Sequence, residues 1–183
     1  LGNVATNYFY ALQAVCENGF SSSLSRQVGK FEYQLYETST TDFTWVGLVL
    51  ETSQEINNAR DLANHIAGNL YQGTANTTAV SKWNPVSQGF TTFAYHPGIP
   101  GFKVDIKQPY RVEIDIANVT NGSVIWSQVG KLPVIATGTY PLRQTATTNF
   151  NWILQPLDRV DIANTNQLAA AIKAEVSGEV DVR

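Results

Sequence analysis

The chain has 183 residues, of which 43% are hydrophobic and 15% charged, and its formal net charge is −3 at pH 7. A chain of this length can bury a core without staples, and no run of Lys or Arg is present to neutralise the phosphates of a nucleic acid. Thr, Asn, Gln, Ser and Gly fill the polar positions, a composition typical of secreted β-rich proteins.

The first third of the chain alternates apolar and polar side chains and is predicted to form strands. Residues 7–17 alternate and then reach Asn18-Gly19, which has the composition of a tight turn. Residues 31–37 alternate again. The continuously apolar run 45–50 is typical of a strand that is buried on both faces.

After residue 50 the spacing of apolar residues changes from two to about 3.6, which predicts a short helix. Asn57 or Asn58 is expected to cap this helix, because Asn side chains accept hydrogen bonds from the first free backbone N–H groups. Leu62 and Ile66 are expected to lie on its apolar face, and Gly68 to end it.

The remainder of the chain is predicted to be mostly strands. A polar loop is expected over 71–78, followed by a hairpin with its turn at Asn84-Pro85. Further strands and a last helix are predicted at residues 79–83, 88–95, 102–106, 109–117, 124–126, 132–136 and 164–174. The predicted fold class is mainly β with short helices (α+β), built of sandwich-like modules.

Paired landmarks indicate an internal repeat. Three segments recur in the same order: 41–50 at 148–157, 56–66 at 162–172, and the tetrapeptide Gln-Val-Gly-Lys of 27–30 at 128–131. The repeat predicts that Trp45 and Trp152 occupy equivalent buried sites, each covered by the helix that follows it. The predicted organisation is the C-terminal half of one module over 1–39, a complete module over 40–147 and the N-terminal half of a further module over 148–183.

The two half modules are expected to bind each other, because each has an apolar face that its own chain is too short to cover. If the halves come from different subunits, the contact joins copies of the chain head-to-tail. An intramolecular version, in which both ends of one molecule close on each other, uses the same contacts. The residues expected at the subunit interface are Tyr8, Tyr10, Leu12, Val15, Trp152, Leu157 and Leu168.

These landmarks resemble a module that recurs, often in tandem, in large secreted bacterial surface proteins. Its pattern is isLPL, I-t-a-s-q-L-a-x-x-I, V-s-k-W-n-x-x-x-q-g-F-t-x-y, G-x-x-F-x-V-x-x-g-x-p-Y-x-V-x-V and W-x-x-v-G-x-v-P, and the matching segments here are 153–157, 56–66, 80–95, 101–114 and 126–133. This chain departs from the pattern at residues 48–50, which are Leu-Val-Leu instead of Leu-Pro-Leu, and its N-terminal unit has Leu24 or Ser25 in place of the Trp. Because the motif residues are core and turn residues, the resemblance implies a β-rich repeat fold and an extracellular setting rather than an activity.

No catalytic or metal-binding motif is present in the sequence. His65 and His96 are the only histidines, and no Asp, Glu or Cys cluster is spaced with them for metal ligation. Cys16 is the only cysteine, so it is expected to be a buried small side chain, with an intermolecular disulfide as the alternative. No enzyme activity, cofactor or metal is therefore predicted.

The predicted function is that of an extracellular structural protein at the cell surface, which assembles with copies of itself into a filament or layer. The alternative is a carbohydrate-binding or adhesive module that binds surface glycans. The aromatic residues between 83 and 110 are expected mainly to fill the core, but in the alternative Trp83 and Tyr95 contact the glycan. Neither a nucleic-acid partner nor a membrane span is predicted, since no apolar stretch approaches the ~20 residues that cross a bilayer.

Overall fold

The fold is described by a computed structural model, which covers residues 8–37, 43–52, 54–71, 74–106, 108–117, 122–133, 142–143, 150–155, 157 and 161–176. In these residues the chain forms strands and two helices, which in order are β1 (Tyr8–Tyr10), β2 (Val28–Tyr36), β3 (Thr44–Gly47), β4 (Glu51–Thr52), α1 (Ala59–Gly68), β5 (Leu70–Tyr71), β6 (Thr74–Asn84), β7 (Gly89–Ala94), β8 (Pro109–Ala117), β9 (Ser123–Lys131) and α2 (Thr165–Glu175).

The strands form two antiparallel sheets. In sheet 1 the strand order is β1-β2-β9-β4, and β5 also pairs with β9. In sheet 2 the order is β3-β8-β6-β7. Inward side chains of both sheets and of α1 contribute to one buried cluster. The predicted fold class, mainly β with short helices, is confirmed.

Alternation along β8 and β9 supplies six of the 17 described residues of this core. On β8, Tyr110, Val112 and Ile114 are buried, and on β9 Val124 and Trp126 are buried. Each inward residue is followed by a more exposed one, because successive side chains of a strand point to opposite faces. The strand predicted over 109–117 is confirmed, and the strand predicted over 124–126 extends to the full length of β9.

Helix α1 covers the core with the apolar face that the sequence predicts. Leu62 and Ile66 are fully buried. Asn58 is the N-cap, since its side chain accepts a hydrogen bond from the backbone N–H of Asp61 at 3.0 Å. The second helix is capped in the same way, by Asn164 with the N–H of Gln167 at 3.0 Å. The two helices of the repeat therefore begin with the same local structure.

Three predicted elements are wrong in whole or in part. The strand predicted over 7–17 ends at Tyr10, and only an isolated bridge at Val15 follows it. Residues 74–78, predicted as loop, belong to β6. Their inward side chains are small, Ala75 and Thr77, so the period of two is hard to see in the sequence. Residues 102–106, predicted as a strand, form only an isolated bridge between Lys103 and Asn58.

The backbone of residues 100–104 is used instead to hold the start of α1. The N–H of Ala59 donates to the carbonyl of Phe102 at 2.9 Å, and the N–H of Arg60 donates to that of Pro100 at 3.0 Å. The first N–H groups of a helix have no partner within the helix. A loop that supplies carbonyls at this point satisfies them.

The prediction that Trp45 and Trp152 are buried in equivalent sites is wrong. Val46 points into the core, so the neighbouring Trp45 points to the outer face of sheet 2, where it is half-buried. Trp152 is 45% exposed and stacks on Trp45, with ring centroids 4.3 Å apart. Trp126 of β9 is the fully buried tryptophan of this core.

The two Gln-Val-Gly-Lys segments pair with each other in sheet 1. In the β2–β9 register Gly29 is opposite Gly130, and Val28 and Lys30 are opposite Lys131 and Val129. Strand β2 lies within the predicted half module 1–39, and β9 lies within the predicted module 40–147. The two regions therefore share one sheet, and the division into repeat units stays a prediction.

A glycine is required at the centre of this junction. A methyl group added at Gly130 would overlap the backbone carbonyl of Glu51 on β4, and one added at Gly29 would overlap that of Tyr8 on β1. Backbone atoms move only if the strands separate. Both copies of the tetrapeptide thus keep a glycine because a further strand passes close to it.

We expect Gly130→Ala to lower the free energy of unfolding by about 2–3 kcal/mol, because overpacking against backbone displaces β4 from β9. Gly68→Ala is the matched control: a methyl group at that position, the last residue of α1, has nothing within 4 Å. The control should be neutral or stabilising by up to about 1 kcal/mol. Urea unfolding followed by far-UV circular dichroism measures both. Equal stabilities of the two variants would contradict the close approach of β4.

Candidate functional site

Residues 12–27, here called the N-terminal arm, project from the end of sheet 1. They fold back on themselves, with the N–H of Ser22 donating to the carbonyl of Ala14 and the N–H of Ser25 to that of Leu12, both at 2.8 Å. Every residue of the arm is exposed. Its large apolar side chains are 64–77% exposed, and they are Leu12, Val15, Phe20 and Leu24.

The base of the arm is fixed to sheet 1. The Arg26 guanidinium donates to the Glu51 carboxylate at 2.9 Å and to the carbonyl of Leu132 at 2.8 Å. Tyr8 is half-buried, while Tyr10 beside it is exposed and stacks on it with centroids 6.4 Å apart. The arm is thus held at a fixed base, with its apolar side chains in solvent.

Cys16 lies near the turn of the arm and is exposed. The expectation that it is a buried small side chain is therefore wrong. The alternation of residues 7–17 indicates which side chains share a face, but the arm has solvent on both faces. An intermolecular disulfide stays a prediction.

The C-terminal members of the predicted interface are more covered than the arm. Leu157 and Leu168 are half-buried, and Trp152 is exposed on one side of its stack. No residue of α2 is buried, although Leu168 and Ile172 correspond to the buried Leu62 and Ile66 of α1. Helix α2 has the same cap as α1 but no comparable core beneath it within the described part of the chain.

The outer face of sheet 2 carries an aromatic cluster, consisting of Phe43, Trp45, Trp83, Phe90 and Trp152. The Arg111 guanidinium lies over the rings of Phe43 and Phe90, at 4.9 and 4.6 Å from their centroids, and is bonded to Glu113 at 3.2 Å. A guanidinium over aromatic faces is attracted by their negative π-electron density. The cluster is thus an aromatic surface with one cation packed over two of its rings.

The chain returns to this cluster at residues 150–155. Gln88 holds the main chain of Phe150 with both ends of its carboxamide: Oε1 accepts from the Phe150 N–H at 2.7 Å, and Nε2 donates to the Phe150 carbonyl at 3.2 Å. Trp83 Nε1 donates to the same carbonyl at 2.8 Å. Trp83 and Gln88, here called the clamp, thus bind one residue of an extended segment.

The two residues predicted to contact a glycan, Trp83 and Tyr95, have different partners in the structure. Trp83 uses its indole N–H for Phe150, and its ring packs edge-on against Phe90 and Trp152. Tyr95 is exposed and its hydroxyl is bonded to Asn64 at 2.9 Å. Neither contact favours glycan binding over self-association, and the glycan role stays a prediction.

Two tyrosine hydroxyls between the sheets accept hydrogen bonds from backbone N–H groups. Tyr33 accepts from the Gly47 N–H at 3.1 Å, and Tyr110 accepts from the Asp105 N–H at 2.6 Å. Burial raises the pKa of Tyr33 and of Tyr110 to about 12, so both hydroxyls stay protonated at neutral pH. Among the described residues no group of three or more His, Cys, Asp or Glu could hold a metal ion.

His65 is buried, and its Nδ1 accepts a hydrogen bond from Trp126 Nε1 at 3.1 Å. This requires the neutral ring with its proton on Nε2. His96 lies on an exposed turn, where its Nδ1 accepts from the Gly98 N–H at 3.2 Å. The two histidines therefore differ in burial and partner.

We expect stability to fall with acid because of His65. Burial lowers its pKa in the folded state below the ordinary value of 6.5, so between those two pKa values the unfolded chain binds the extra proton. The contribution of His65 to the free energy of unfolding is then fully present above about pH 6.5, and it falls by up to about 1.4 kcal/mol per pH unit below that pH. Urea unfolding between pH 8 and about 5.5 measures this slope. His65→Gln should flatten it and His96→Gln should not; an unchanged slope in the first variant would contradict the assignment.

No protein-family model, no curated protein and no solved structure matches this chain. The resemblance to a tandem module of secreted surface proteins therefore stays a prediction. Within the described residues no helix is long and apolar enough to cross a membrane. The observations that bear on function are the fold, the N-terminal arm, helix α2 and the clamp.

Sequence reasoning missed the clamp. Trp83 stood out as an aromatic residue, but nothing near Gln88 in the chain indicates that its side chain binds a segment 62 residues away. The buried Gln128 carried a weak signal, since it shares the inward parity of Val124 and Trp126 on β9. A polar residue at an inward position predicts a specific partner, but not which one.

Proposed function

We propose that this chain is an extracellular structural protein, a subunit that assembles with copies of itself into a surface filament or layer. The observation that carries the proposal is the N-terminal arm, with four large apolar side chains at 64–77% exposure. The arm has one isolated β-bridge, between Val15 and Ser21, and a hairpin without other strands is at best marginally stable alone. Contiguous exposed apolar side chains are typical of surfaces that bind another protein. The proposal includes no catalytic site, cofactor or nucleic acid.

The C-terminal part of a second copy is the partner that best complements the arm. Helix α2 offers Leu168 and Ile172 half-buried, whereas the corresponding residues of α1 are fully buried. Both surfaces would lose apolar area to solvent if they met, at roughly 25 cal/mol per Å² buried. The interface residues are Tyr8, Tyr10, Leu12 and Val15 of one copy with Trp152, Leu157 and Leu168 of the next.

A contact between two different surfaces is heterologous, so it continues from copy to copy unless the rotation closes a ring. That is the geometry of a filament. The low content of charged side chains and the abundance of Thr and Asn support an extracellular, cell-surface location.

An arm variant tests the proposal: its four large apolar residues become serine, at Leu12, Val15, Phe20 and Leu24. The wild-type chain should form higher oligomers with rising concentration in sedimentation velocity, and fibres or sheets in negative-stain micrographs. The variant should stay monomeric with an unchanged circular dichroism spectrum, because its changes are confined to exposed side chains.

The control replaces two exposed apolar residues outside the arm, Val86→Ser and Ile99→Ser, and should assemble like the wild type. Deleting residues 148–183 should abolish assembly, since it removes the complementary surface. A wild-type chain that stays monomeric at every accessible concentration would refute the proposal. So would assembly that continues unchanged without residues 148–183.

A further inference from the structure

The clamp recognises an extended backbone rather than a particular side chain at residue 150. A carboxamide has an acceptor oxygen and a nitrogen with two N–H donors in one plane. Gln88 accepts from the Phe150 N–H, and its nitrogen donates to the Phe150 carbonyl at 3.2 Å and to the Pro85 carbonyl of its own turn at 2.6 Å. Trp83 adds a third hydrogen bond to the same carbonyl. The side chain of Phe150 itself is mostly exposed. These three bonds do for the segment what a neighbouring strand does in a sheet.

Two side chains of the segment, those of Trp152 and Leu154, make the site selective for a particular peptide sequence. Trp152 stacks on Trp45 at 4.3 Å and 15°, and meets Trp83 edge-on at 6.2 Å. Leu154 covers Gly47 so closely that a methyl group there would overlap it. Trp152 and Leu154 both face the sheet, as alternate residues of an extended chain do, whereas Phe150 contributes its main chain. The site therefore reads the pattern residue-x-Trp-x-Leu.

The backbone of Gln88 indicates that its side chain is needed at this position. Among the described residues, Gln88 is the only non-glycine with a positive φ, 52°. This left-handed conformation costs an ordinary residue roughly 1–2 kcal/mol and glycine almost nothing. A glycine would thus suit the β6–β7 turn better, but it would remove the carboxamide. Strain of this kind is commonly found where a side chain is held for binding.

We propose that the clamp is a peptide-recognition site whose occupant, in the assembled protein, is the segment 150–155 of a second copy. The contacts are the same whichever chain supplies the segment. Tethering favours the chain's own segment when the protein is dilute, and close packing of subunits raises the concentration of competing segments. Helix α2, which follows the segment, has no buried residue, and of the described residues between the segment and the helix only Ile162 is buried, so exchange uncovers little of the core. The inference deepens the proposed assembly function by naming a second contact between copies.

Two complementary variants test exchange, both built in the arm variant so that arm contacts are silent. Gln88→Gly removes two of the three hydrogen bonds of the clamp but keeps the segment, and Trp152→Ala keeps the clamp but removes the anchor of the segment. Neither chain can fill its own site fully. We expect each alone to be monomeric in sedimentation velocity, and an equimolar mixture to form a one-to-one heterodimer that cannot grow further.

A capped synthetic peptide of residues 150–155 should dissociate the heterodimer, and the same peptide with alanine for Trp152 should be weaker by about tenfold or more, the factor that corresponds to one lost aromatic contact. Fluorescence anisotropy of the labelled peptide on the wild-type chain repeats this comparison if a variant does not fold. A mixture that stays monomeric, or equal binding of the two peptides, would overturn the inference. Neither result bears on the proposed assembly through the arm, which the arm variant tests by itself.

Discussion

Replacing Trp126 with alanine is expected to destabilise the protein by about 3–5 kcal/mol. Trp126 is fully buried between the sheets, stacked on Tyr33 at 5.5 Å and edge-on to His65 at 5.8 Å. The substitution leaves a large cavity and also removes the donor to His65 Nδ1. Both effects act in the folded state, so the midpoint of urea unfolding should fall steeply.

Two further tryptophan variants calibrate this expectation. Trp126→Phe keeps a ring against Tyr33 but loses the hydrogen bond to His65, so it should cost about 1–3 kcal/mol. Trp152→Ala removes a side chain that is 45% exposed, and it should cost about 1 kcal/mol. Far-UV circular dichroism should follow the unfolding, since tryptophan fluorescence changes with each variant. A Trp126→Ala chain as stable as Trp152→Ala would contradict the placement of Trp126 in the core.

Replacing Gln128 with leucine is expected to cost about 2–4 kcal/mol although it conserves volume and adds apolar surface. Gln128 is fully buried; its Nε2 donates to the carbonyl of Gly47 at 2.6 Å, and its Oε1 accepts from the N–H of Val49 at 3.1 Å. Pro109, which pairs with Gly47 on sheet 2, has no N–H to offer. Leucine would leave both backbone groups buried without a partner.

Gln128→Glu separates this account from a simple packing effect. A carboxylate can still accept from Val49, but it repels the carbonyl of Gly47, and a protonated carboxyl can donate to that carbonyl. Burial raises the pKa of the introduced carboxyl, so its folded form holds the proton at pH values where the unfolded form, with a pKa near 4.3, has lost it. Stability relative to wild type should therefore be highest at acid pH and fall as pH rises through the folded pKa. If the difference in free energy of unfolding between the variant and the wild type does not change with pH, the hydrogen bonds of Gln128 to Gly47 and Val49 are contradicted.

Gln128 is important because of where the chain crosses between the sheets. Residues 48–50 lead from β3 in sheet 2 to β4 in sheet 1, and all three are buried. Backbone groups in such a crossing lack the regular pairing of a strand, and buried groups without partners are costly. Side chains of sheet 1, Tyr33 and Gln128, supply partners for Gly47 and Val49. In the apolar run 45–50, residues 45–47 belong to strand β3 and residues 48–50 form the connection between the two sheets.

What the sequence determined by itself was local. The alternation of 109–117, the asparagine cap of α1 and the hairpin turn near Asn84-Pro85 depend on residues close together in the chain, so spacing was sufficient to predict them. The repeat was visible for the same reason, as paired segments of similar sequence. The fold class followed from these elements.

Only the tertiary structure decided which side of each strand became the core. Alternation places Trp45 and Val46 on opposite faces but does not say which face is inward, so the buried tryptophan is Trp126 and not Trp45. The partners of Gln88 and Gln128 are 62 and 81 residues away along the chain, at distances that no local pattern encodes. The arm's exposure has the same origin: its residues alternate like a half-buried strand, but no other element covers them in the described part of the chain. Burial depends on what the rest of the chain places over a face, and this is decided by packing rather than by spacing.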